Sequence, residues 1–255
     1  MKKIIIAGNW KLHKNKDESL NYIFQVNDKV PNKNEVETII FPQITLLDVL
    51  TQIEGKNLRI GAQNVFYQNE GAFTGEISPQ NIKSLGVKYV LIGHSERRTL
   101  SQETDEIVNL KLLAVLEQQM RSVVCLGESL EVKEKNETQT YLNNQLETIF
   151  QNVASESLKN ITLAYEPIWA INTGKNATPE DANYNIGQIR KKITTMYDEE
   201  AAQKINIIYG GSVNVSNVES FLQQKEINGI LAGNSSLKYE NFLFFTEIAK
   251  KYTQE

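Results

Sequence analysis

ITLAYEPIWAINTGKNAT, residues 161–178, is the stretch that decides the fold, and it begins as a strand. Its first residues, Ile161–Ala164, form a short apolar run, which is typical of a strand buried on both faces. Glu166 follows and precedes Pro167. Because a proline keeps the residue before it extended and cannot continue a strand ladder, we expect Glu166 to occupy the last position of this strand.

The second half of the stretch predicts a loop that ends at a helix. Thr178 and Pro179 are followed by two acids, a combination that favours a capped helix start with proline at its first position. The loop between strand and helix is apolar around Trp169 and has small residues towards its end. It therefore resembles a lid that closes over a ligand, although a surface loop whose Trp169 packs on the structure beneath it is the alternative.

Short β-branched runs recur along the whole chain, and a helical pattern follows each of them. The predicted strands are Ile4–Asn9, Val36–Phe41, Leu58–Ala62, Tyr89–Gly93, Val123–Leu126, Ile161–Tyr165, Ile205–Tyr209 and Gly229–Ala232. The predicted helices are Lys16–Asp28, Gln43–Ile53, Gln80–Leu85, Thr104–Gln119, Leu130–Val153, Pro179–Asp198, Ser216–Gln223 and Tyr239–Tyr252. Continuous apolar strands indicate a parallel sheet covered on both faces.

Eight strand–helix units in alternation predict an α/β fold, a closed (β/α)₈ barrel forming one domain over residues 1–255. A doubly wound open sheet is the alternative, but the glycine pattern of a dinucleotide site does not follow the first strand. A length of 255 residues suits one such barrel.

Composition narrows the function classes. The net charge is −4 and the charges are interspersed, which argues against nucleic acid and membrane surfaces as partners. The Met1-Lys2-Lys3 start runs into a strand too short for a secretion signal. The single cysteine, Cys125, suits a reducing cytoplasm. One cysteine and two histidines are too few to favour a Cys/His metal cluster.

The active site of such a barrel lies where the strands end. Glu166 ends the sixth strand, His94 follows the fourth, and Lys11 and Asn9 end the first. Glu166 fits a general base, and His94, beside a predicted helix N-terminus, fits a neutral hydrogen-bond donor. Lys11 and Asn9 would stabilise negative charge, with Lys11 held by Glu96. For a lone histidine or lysine, a structural or surface role is the alternative.

Glycine-containing turns after the seventh and eighth strands predict a phosphate site. Gly210-Gly211-Ser212 and Gly233-Asn234 would offer backbone N–H groups and a hydroxyl to an oxyanion. Together the strand ends predict proton abstraction beside a carbonyl on a phosphorylated substrate, with no metal and no cofactor. Cys125 is expected to be buried packing.

Five blocks of sequence resemble the triosephosphate isomerase family over the whole chain. They are Gly8–Lys11, Gly71–Ser78, Ile92–Arg98, Ala164–Ile171 and Tyr209–Val213. The resemblance implies interconversion of dihydroxyacetone phosphate and glyceraldehyde 3-phosphate in glycolysis and gluconeogenesis. The pairing of a glutamate base with a neutral histidine is this family's known arrangement.

The resemblance also implies roles for single residues. It places the base on Glu166, the electrophile on His94 and catalytic support on Lys11. The implied substrate contacts are Asn9, Lys11, Asn172, Ser212, Gly233 and Asn234. Tyr209 and Ser212 would bond to the closed lid, and Ile171 and Leu231 would flank the base. Thr74, in a protruding loop, would reach the active site of the partner in a cytoplasmic homodimer.

Asn172, Asn234 and Asn228 depart from the family pattern, which usually has glycine at the first two positions and an acid at the third. Asparagine tolerates positive φ better than other non-glycine residues, at a cost of about 1 kcal/mol or less. Two other functions remain open: a different phosphate-binding barrel enzyme, such as a sugar-phosphate epimerase, and a barrel that only binds a partner.

Overall fold

The computed structural model describes residues 3–170 and 177–253. Its eight strands are β1 (Ile4–Asn9), β2 (Val36–Phe41), β3 (Leu58–Ala62), β4 (Tyr89–Ile92), β5 (Arg121–Leu126), β6 (Ile161–Tyr165), β7 (Asn206–Tyr209) and β8 (Gly229–Ala232). They pair in chain order, and β8 pairs with β1, so the sheet closes. Every pairing is parallel, with Ile5 opposite Gly229 at the closure. The (β/α)₈ prediction is confirmed.

Helices surround the barrel between the strands. They are α1 (Lys16–Val26), α2 (Leu47–Gln52), α3 (Pro79–Ser84), α4 (Ser95–Leu100), α5 (Asp105–Glu117), α6 (Leu130–Glu134), α7 (Thr138–Ile149), α8 (Pro179–Met196), α9 (Glu199–Lys204), α10 (Val218–Leu222) and α11 (Tyr239–Lys251). Short 3-10 helices occupy Ile44–Leu46, Ser155–Asn160, Ile168–Ala170 and Asn234–Leu237. Within the described ranges, no helix combines the length and apolarity needed to cross a membrane.

The sequence prediction is wrong in several details. The helix predicted over Leu130–Val153 is two helices, because Asn136 takes a left-handed conformation with φ of 58° between α6 and α7. Helix α9 was not predicted, and α4 was predicted only as a helix N-terminus beside His94. The sixth strand ends at Tyr165 rather than Glu166, although the Glu166 amide still donates to Leu126 O at 2.8 Å. Proline at the next position explains why the strand does not continue.

The start of α8 confirms one local prediction. Thr178 caps the helix, and its hydroxyl accepts a hydrogen bond from the Asp181 amide at 3.1 Å. Pro179 occupies the first helical turn, where its missing N–H has no intrahelical partner to lose. The cap therefore fixes the position at which α8 begins.

Two apolar layers follow from the alternation of side chains along each strand. One set of strand residues packs against the helices and includes Ile4, Ile6 and Ile40. The other set points into the barrel and consists of Ile5, Ala7, Ile39, Phe41, Tyr89, Leu91, Val123, Cys125, Ala164, Ile208 and Leu231. The filled interior leaves polar groups at the two ends of the barrel, and the end where the strands terminate is the C-terminal mouth.

Candidate active site

The C-terminal mouth contains a cavity of 270 Å³ that gathers most of the predicted residues. Asn9, Lys11, His94, Glu166, Ser212, Leu231, Gly233 and Asn234 all line it. Five different strands deliver these residues, since each follows or ends a strand in a closed parallel sheet. Ile171 and Asn172 lie outside the described residues.

Glu166 is 2% exposed, and its two carboxylate oxygens have different surroundings. Its Oε2 accepts a hydrogen bond from the Ser95 amide at 3.0 Å, and its Oε1 lies 3.2 Å from His94 Nε2. The Oε1 atom makes no hydrogen bond of good geometry within the described chain, so the His94 approach is a close contact rather than a formed bond. One carboxylate oxygen is therefore available to a proton.

Two glycines make room for Glu166. A Cβ on Gly127 would come within 1.7 Å of Glu166 O, and one on Gly210 would come within 2.8 Å of Glu166 Cγ. Such distances are shorter than any real contact, so both positions require glycine. Neither role was predicted from the sequence, because it depends on the approach of neighbouring strands.

His94 is the N-cap residue of α4, and its Nδ1 accepts from the Glu96 amide at 3.2 Å. Because Nδ1 is an acceptor, the proton of the neutral ring is assigned to Nε2. That nitrogen lines the cavity side, 3.2 Å from the Glu166 carboxylate. A neutral imidazole with Nε2–H directed at the cavity can donate to a substrate oxygen.

The loop that carries His94 is fixed by Arg98, which sequence reasoning did not single out. Arg98 donates to Gly93 O at 2.7 Å and to Cys125 O at 3.0 Å, and it pairs with Asp105 at 2.6 Å. Gly93 has a φ of 69°, a conformation that favours glycine. Cys125 itself is fully buried, as expected, and burial raises the pKa of its thiol.

Lys11 has a φ of 52°, which is unusual for a residue with a side chain. Its amide donates to Asn9 Oδ1 at 3.0 Å, and its carbonyl accepts from Gln63 Nε2 at 2.8 Å. Its ammonium lies 2.6 Å from Glu96 Oε1, as the sequence predicted. Strained backbone of this kind persists where surrounding bonds enforce it, and it is common in functional sites.

The two glycine turns lie side by side at the rim of the same cavity. Gly210, Gly211 and Ser212 come from the turn after β7, and Gly233 and Asn234 from the turn after β8. A Cβ on Gly211 would lie 2.2 Å from the Tyr209 hydroxyl, so the backbone there approaches too closely for any side chain. Ser235 Oγ donates to Val213 O and joins the two turns.

Asn234 does not need the glycine that the family usually has there. It begins the 3-10 helix Asn234–Leu237, and it is not one of the residues with positive φ. The left-handed cost considered for this asparagine therefore does not arise. Its side chain, however, stands at the cavity wall.

A sequence model of the triosephosphate isomerase family matches residues 4–251. The chain belongs to the triosephosphate isomerase family. It is 59% identical to the triosephosphate isomerase of Aster yellows witches'-broom phytoplasma, over 97% of this chain and 90% of the relative. The enzymes named triosephosphate isomerase from Caldanaerobacter subterraneus and Lactobacillus helveticus are 43% and 42% identical, over 95% and 94% of this chain and 98% and 95% of theirs.

At the base of the predicted lid of this triosephosphate isomerase family member, Glu128 is a buried acceptor for two side chains. Trp169 Nε1 donates to its Oε1 at 2.8 Å, and the Tyr165 hydroxyl donates to the same atom at 3.1 Å. Burial raises the pKa of Glu128, against the effect of these hydrogen bonds. The Lys133 ammonium lies 3.2 Å above the Trp169 ring centroid, a cation–π contact. Sequence reasoning assigned Glu128 no role.

Tyr209 is fully buried, and its hydroxyl has no hydrogen-bond partner in the part of the chain that the structure describes. Its ring stacks on Phe221 with centroids 4.1 Å apart. Burial raises the pKa of the phenol, which therefore stays protonated. The resemblance implies that Tyr209 and Ser212 bond to the closed lid near Gly174 and Ala177. Gly174 lies outside the described residues, and Ala177 is buried.

Thr74 lies at an exposed position of the loop before α3. The loop is folded on itself: the Phe66 amide donates to Ile77 O at 2.8 Å, and the Phe66 and Phe73 rings lie 4.7 Å apart. A groove of 720 Å³ beside Lys11 and His94 is flanked by Leu12 and Leu100, which are 85% and 81% exposed.

The described residues contain no group of three or more His, Cys, Asp or Glu side chains arranged to hold a metal.

The third family departure, Asn228, replaces the usual acid by an amide that still accepts two hydrogen bonds. Arg190 donates to its Oδ1 at 2.8 Å and the Ile207 amide at 2.9 Å. Glu226, 3.0 Å from Arg190, supplies the carboxylate instead.

Proposed function

We propose that the C-terminal mouth catalyses the interconversion of dihydroxyacetone phosphate and D-glyceraldehyde 3-phosphate by proton transfer through an enediolate. Membership of the triosephosphate isomerase family supports this aldose–ketose isomerisation in glycolysis and gluconeogenesis. The observation that carries the assignment of residues is the 3.2 Å approach of Glu166 Oε1 to His94 Nε2, in a cavity that also contains the Lys11 side chain. The proposal requires no metal and no cofactor.

Glu166 would act as the general base. Its Oε1 atom, which is free of the Ser95 amide, takes a proton from the carbon beside the carbonyl. The electron pair of that C–H bond becomes the carbon–carbon double bond, and the carbonyl π electrons move to oxygen. Returning the proton to the neighbouring carbon, with transfer of the hydroxyl proton, gives the other triose phosphate. A positioned base of this kind contributes about 10²–10⁴-fold.

His94 and Lys11 would stabilise the oxygen on which charge develops. His94 can donate from Nε2 because its Nδ1 is already an acceptor for the Glu96 amide. Lys11 adds a positive charge, and Glu96 and Asn9 hold its ammonium and its amide. Donors fixed before the reaction need no rearrangement during it, which is the basis of electrostatic catalysis.

The substrate phosphate would bind to the two glycine turns. Ser212, Gly233 and Asn234 line the same cavity as Lys11, and Gly233 lies beside the Lys11 side chain. Glycine at 211 and 233 leaves the backbone exposed to an anion. Asn172 would add a contact from the lid. The cavity volume of 270 Å³ suits a three-carbon phosphate ester rather than a larger sugar.

Lid closure would involve residues at both ends of the lid. At one end Trp169 is already tied to Glu128, and at the other Ala177 is buried before the Thr178 cap. The unpaired Tyr209 hydroxyl is suited to accept or donate one hydrogen bond to the lid, together with Ser212. Ile171 from the lid and Leu231 from β8 would then cover the Glu166 carboxylate and exclude water.

We further infer a cytoplasmic homodimer in which residues 1–255 form one barrel domain. The self-folded loop with exposed Thr74, and the groove between Leu12 and Leu100, support an interface that places Thr74 beside the partner's Lys11. Sedimentation of wild type and Thr74→Arg tests this: we expect the variant to be monomeric and to lose most activity. A monomeric, fully active wild type contradicts the homodimer.

A coupled assay with glyceraldehyde 3-phosphate tests the reaction. We expect turnover by the purified chain and a large loss of kcat, with KM little changed, in Glu166→Asp, because the shorter carboxylate no longer reaches the carbon. A sugar-phosphate epimerase or a binding protein would show no turnover of this substrate. Unchanged kcat in Glu166→Asp would reject Glu166 as the base.

A further inference from the structure

A second polar cavity, of 340 Å³, opens at the opposite end of the barrel, where the strands begin. We call it the N-terminal mouth and define it by Lys3, Arg121, Thr162, Lys159, Lys204 and Asn206. Lys3 precedes β1, Arg121 begins β5 and Asn206 begins β7. The cavity is therefore separated from the active site by the packed interior of the barrel.

Cations dominate the N-terminal mouth. Two lysines and an arginine, together with Lys3, line the cavity, and none of its described lining residues carries a carboxyl group. The net charge of the chain is −4, so this cluster runs against the charge of the whole protein. Like charges close together raise the free energy of the empty site, and an anion among them would lower it.

The counter-charge behind the cavity falls short of the positive charge. Glu37, 5% exposed, lies 2.6 Å from Lys3, 3.7 Å from Arg121 and 4.0 Å from Arg59. One carboxylate is thus shared among three cations, although Arg59 also pairs with Glu54 at 3.1 Å. Arg121 and Lys3 keep 46% and 40% of their side chains exposed, so both can reach a ligand from solvent.

Lys159 and Lys204, two lysines that line the N-terminal mouth, have few strong interactions with other side chains. Lys159 is exposed, and the structure records no hydrogen bond or ion pair for its side chain within the described ranges. Lys204 pairs with Glu200 at 2.7 Å, but that glutamate side chain is 81% exposed. An exposed pair of this type contributes little to stability, so Lys204 can exchange its partner at small cost.

Helix ends explain only part of this cluster. Lys204 lies in the last turn of α9 and Lys159 in that of a 3-10 helix, where cations offset the carbonyl end of a helix. Arg121 begins a strand and Lys3 directly precedes one, so that argument does not apply to them. Neutral hydrogen-bonding side chains, Asn206 and Thr162, complete the lining. Mixed cations and neutral polar groups are the composition expected of an oxyanion site.

We propose that the N-terminal mouth binds a small oxyanion of the phosphate class, held by Arg121, Lys3 and Lys159. Its volume lies near the lower limit of small-molecule pockets, about 300 Å³, which fits inorganic phosphate or a short polyphosphate. Such a ligand bridges the starts of β1 and β5 to the segment before β6. Because it binds the folded chain, it stabilises the fold as its concentration rises.

Equilibrium dialysis of the full chain against inorganic phosphate, with pyrophosphate in a parallel series, tests the site. The C-terminal mouth also binds phosphate, and competitive inhibition of the isomerase reports that site separately. We expect wild type to bind two phosphates per chain, one of which follows the inhibition constant. If inorganic phosphate binds more tightly, the natural ligand is free phosphate, and if pyrophosphate binds more tightly, it is a polyphosphate. Either result supports the site.

Lys159→Gln and Arg121→Gln should weaken the second phosphate about tenfold, a loss of roughly 1.4 kcal/mol of binding free energy, and leave the inhibition constant unchanged. Lys191→Gln is the matched control, because it removes one exposed positive charge from α8 and Lys191 does not line the cavity. It should leave both sites unchanged.

Two results would overturn the proposal. One is wild type that binds only the phosphate seen by inhibition, and the other is a Lys191→Gln variant weakened as much as Lys159→Gln. Lys159 is exposed and unpaired, so its variant folds even if Arg121→Gln does not. A failed isomerase assay would affect the proposed function alone, since the phosphate that dialysis shows weakened in Lys159→Gln and retained in Lys191→Gln identifies the N-terminal mouth without catalysis.

Discussion

The two mouths of this barrel are both polar and both contain lysine, yet they are built for different tasks. At the C-terminal mouth Glu166, His94 and Lys11 stand on loops that extend beyond the strands, around a cavity of 270 Å³. At the N-terminal mouth, Arg121 and Glu37 belong to the strands themselves, and the single Glu37 carboxylate is shared by Arg121, Lys3 and Arg59. The first cavity is lined by a buried carboxylate, Glu166, and the second has no carboxylate among its described lining residues.

The comparison teaches where strain and unpaired groups are tolerated. The C-terminal mouth keeps Lys11 at a φ of 52°. Within residues 3–170 and 177–253, the Tyr209 hydroxyl and one Glu166 oxygen there have no hydrogen-bond partner. At the N-terminal mouth Glu37 is surrounded by cations and Arg121 donates to the Tyr89 hydroxyl at 2.7 Å. Residues that act on a substrate cannot all be satisfied by the protein, whereas structural residues can.

The largest expected effect is on catalysis. Glu166→Gln keeps the size of the side chain and removes the base, so we expect kcat to fall about 10³-fold. The thermal unfolding midpoint should stay close to that of wild type, because the N-terminal mouth and the interior are unaffected. The coupled assay and a circular dichroism melt measure both. A variant with more than a tenth of wild-type kcat would contradict the proposal that Glu166 gives the C-terminal mouth its catalytic base.

Lys11→Gly separates strain from catalysis. Glycine accepts a positive φ without the penalty of about 1 kcal/mol that a side chain brings, so we expect the free energy of unfolding to change by less than about 1 kcal/mol. Loss of the ammonium should lower kcat/KM about 10²-fold. Urea unfolding and steady-state kinetics decide the matter, with Lys191→Gln as the control for a lost lysine charge.

Glu37→Gln should have the opposite signature. It leaves Lys3, Arg121 and Arg59 facing one another without their shared carboxylate, and breaking buried pairs of this kind costs about 3–5 kcal/mol. We expect a lowered unfolding midpoint in urea, with kcat per folded molecule retained. A stable variant with impaired kcat would show that the two ends are coupled.

Glu128→Gln tests the base of the lid and its pH dependence. Burial raises the pKa of Glu128 in the folded state above the unfolded value of about 4.3. The folded chain therefore binds the proton more tightly, and this group's contribution to stability falls as pH rises from about 4.3 through the folded pKa. The stability difference between wild type and Glu128→Gln should shrink over that window. A constant difference would show that Glu128 does not titrate there.

The smallest effect is expected for Asn234→Gly. Because Asn234 does not have positive φ, glycine should relieve no strain and should cost about 0.5–1 kcal/mol of stability. Removing the side chain from the cavity wall should change KM severalfold while kcat is retained. Steady-state kinetics on Asn234→Gly and Asn172→Gly measure this, and unchanged constants in both variants would end the idea that these asparagines tune phosphate binding.

The sequence predicted local features well where short-range chemistry decides them. The strand Ile161–Tyr165 is buried throughout, Thr178 caps α8, and the Lys11–Glu96 pair is present. The division of the predicted Leu130–Val153 helix was missed, because Asn136 gives no stronger signal than other polar residues in the segment. Glu128 was missed because its partners, Trp169 and Tyr165, reach it from another strand.

What the sequence determined by itself is the set of strands, the residue types at their ends and the membership of a family. These follow from hydrophobic pattern, turn chemistry and motifs, which act over a few residues. Only the tertiary structure decided that Gly127 and Gly210 make room for Glu166, that Arg98 fixes the His94 loop, and that cations gather where the strands begin. Those contacts join residues far apart in the chain, and closure of the barrel is what brings them together.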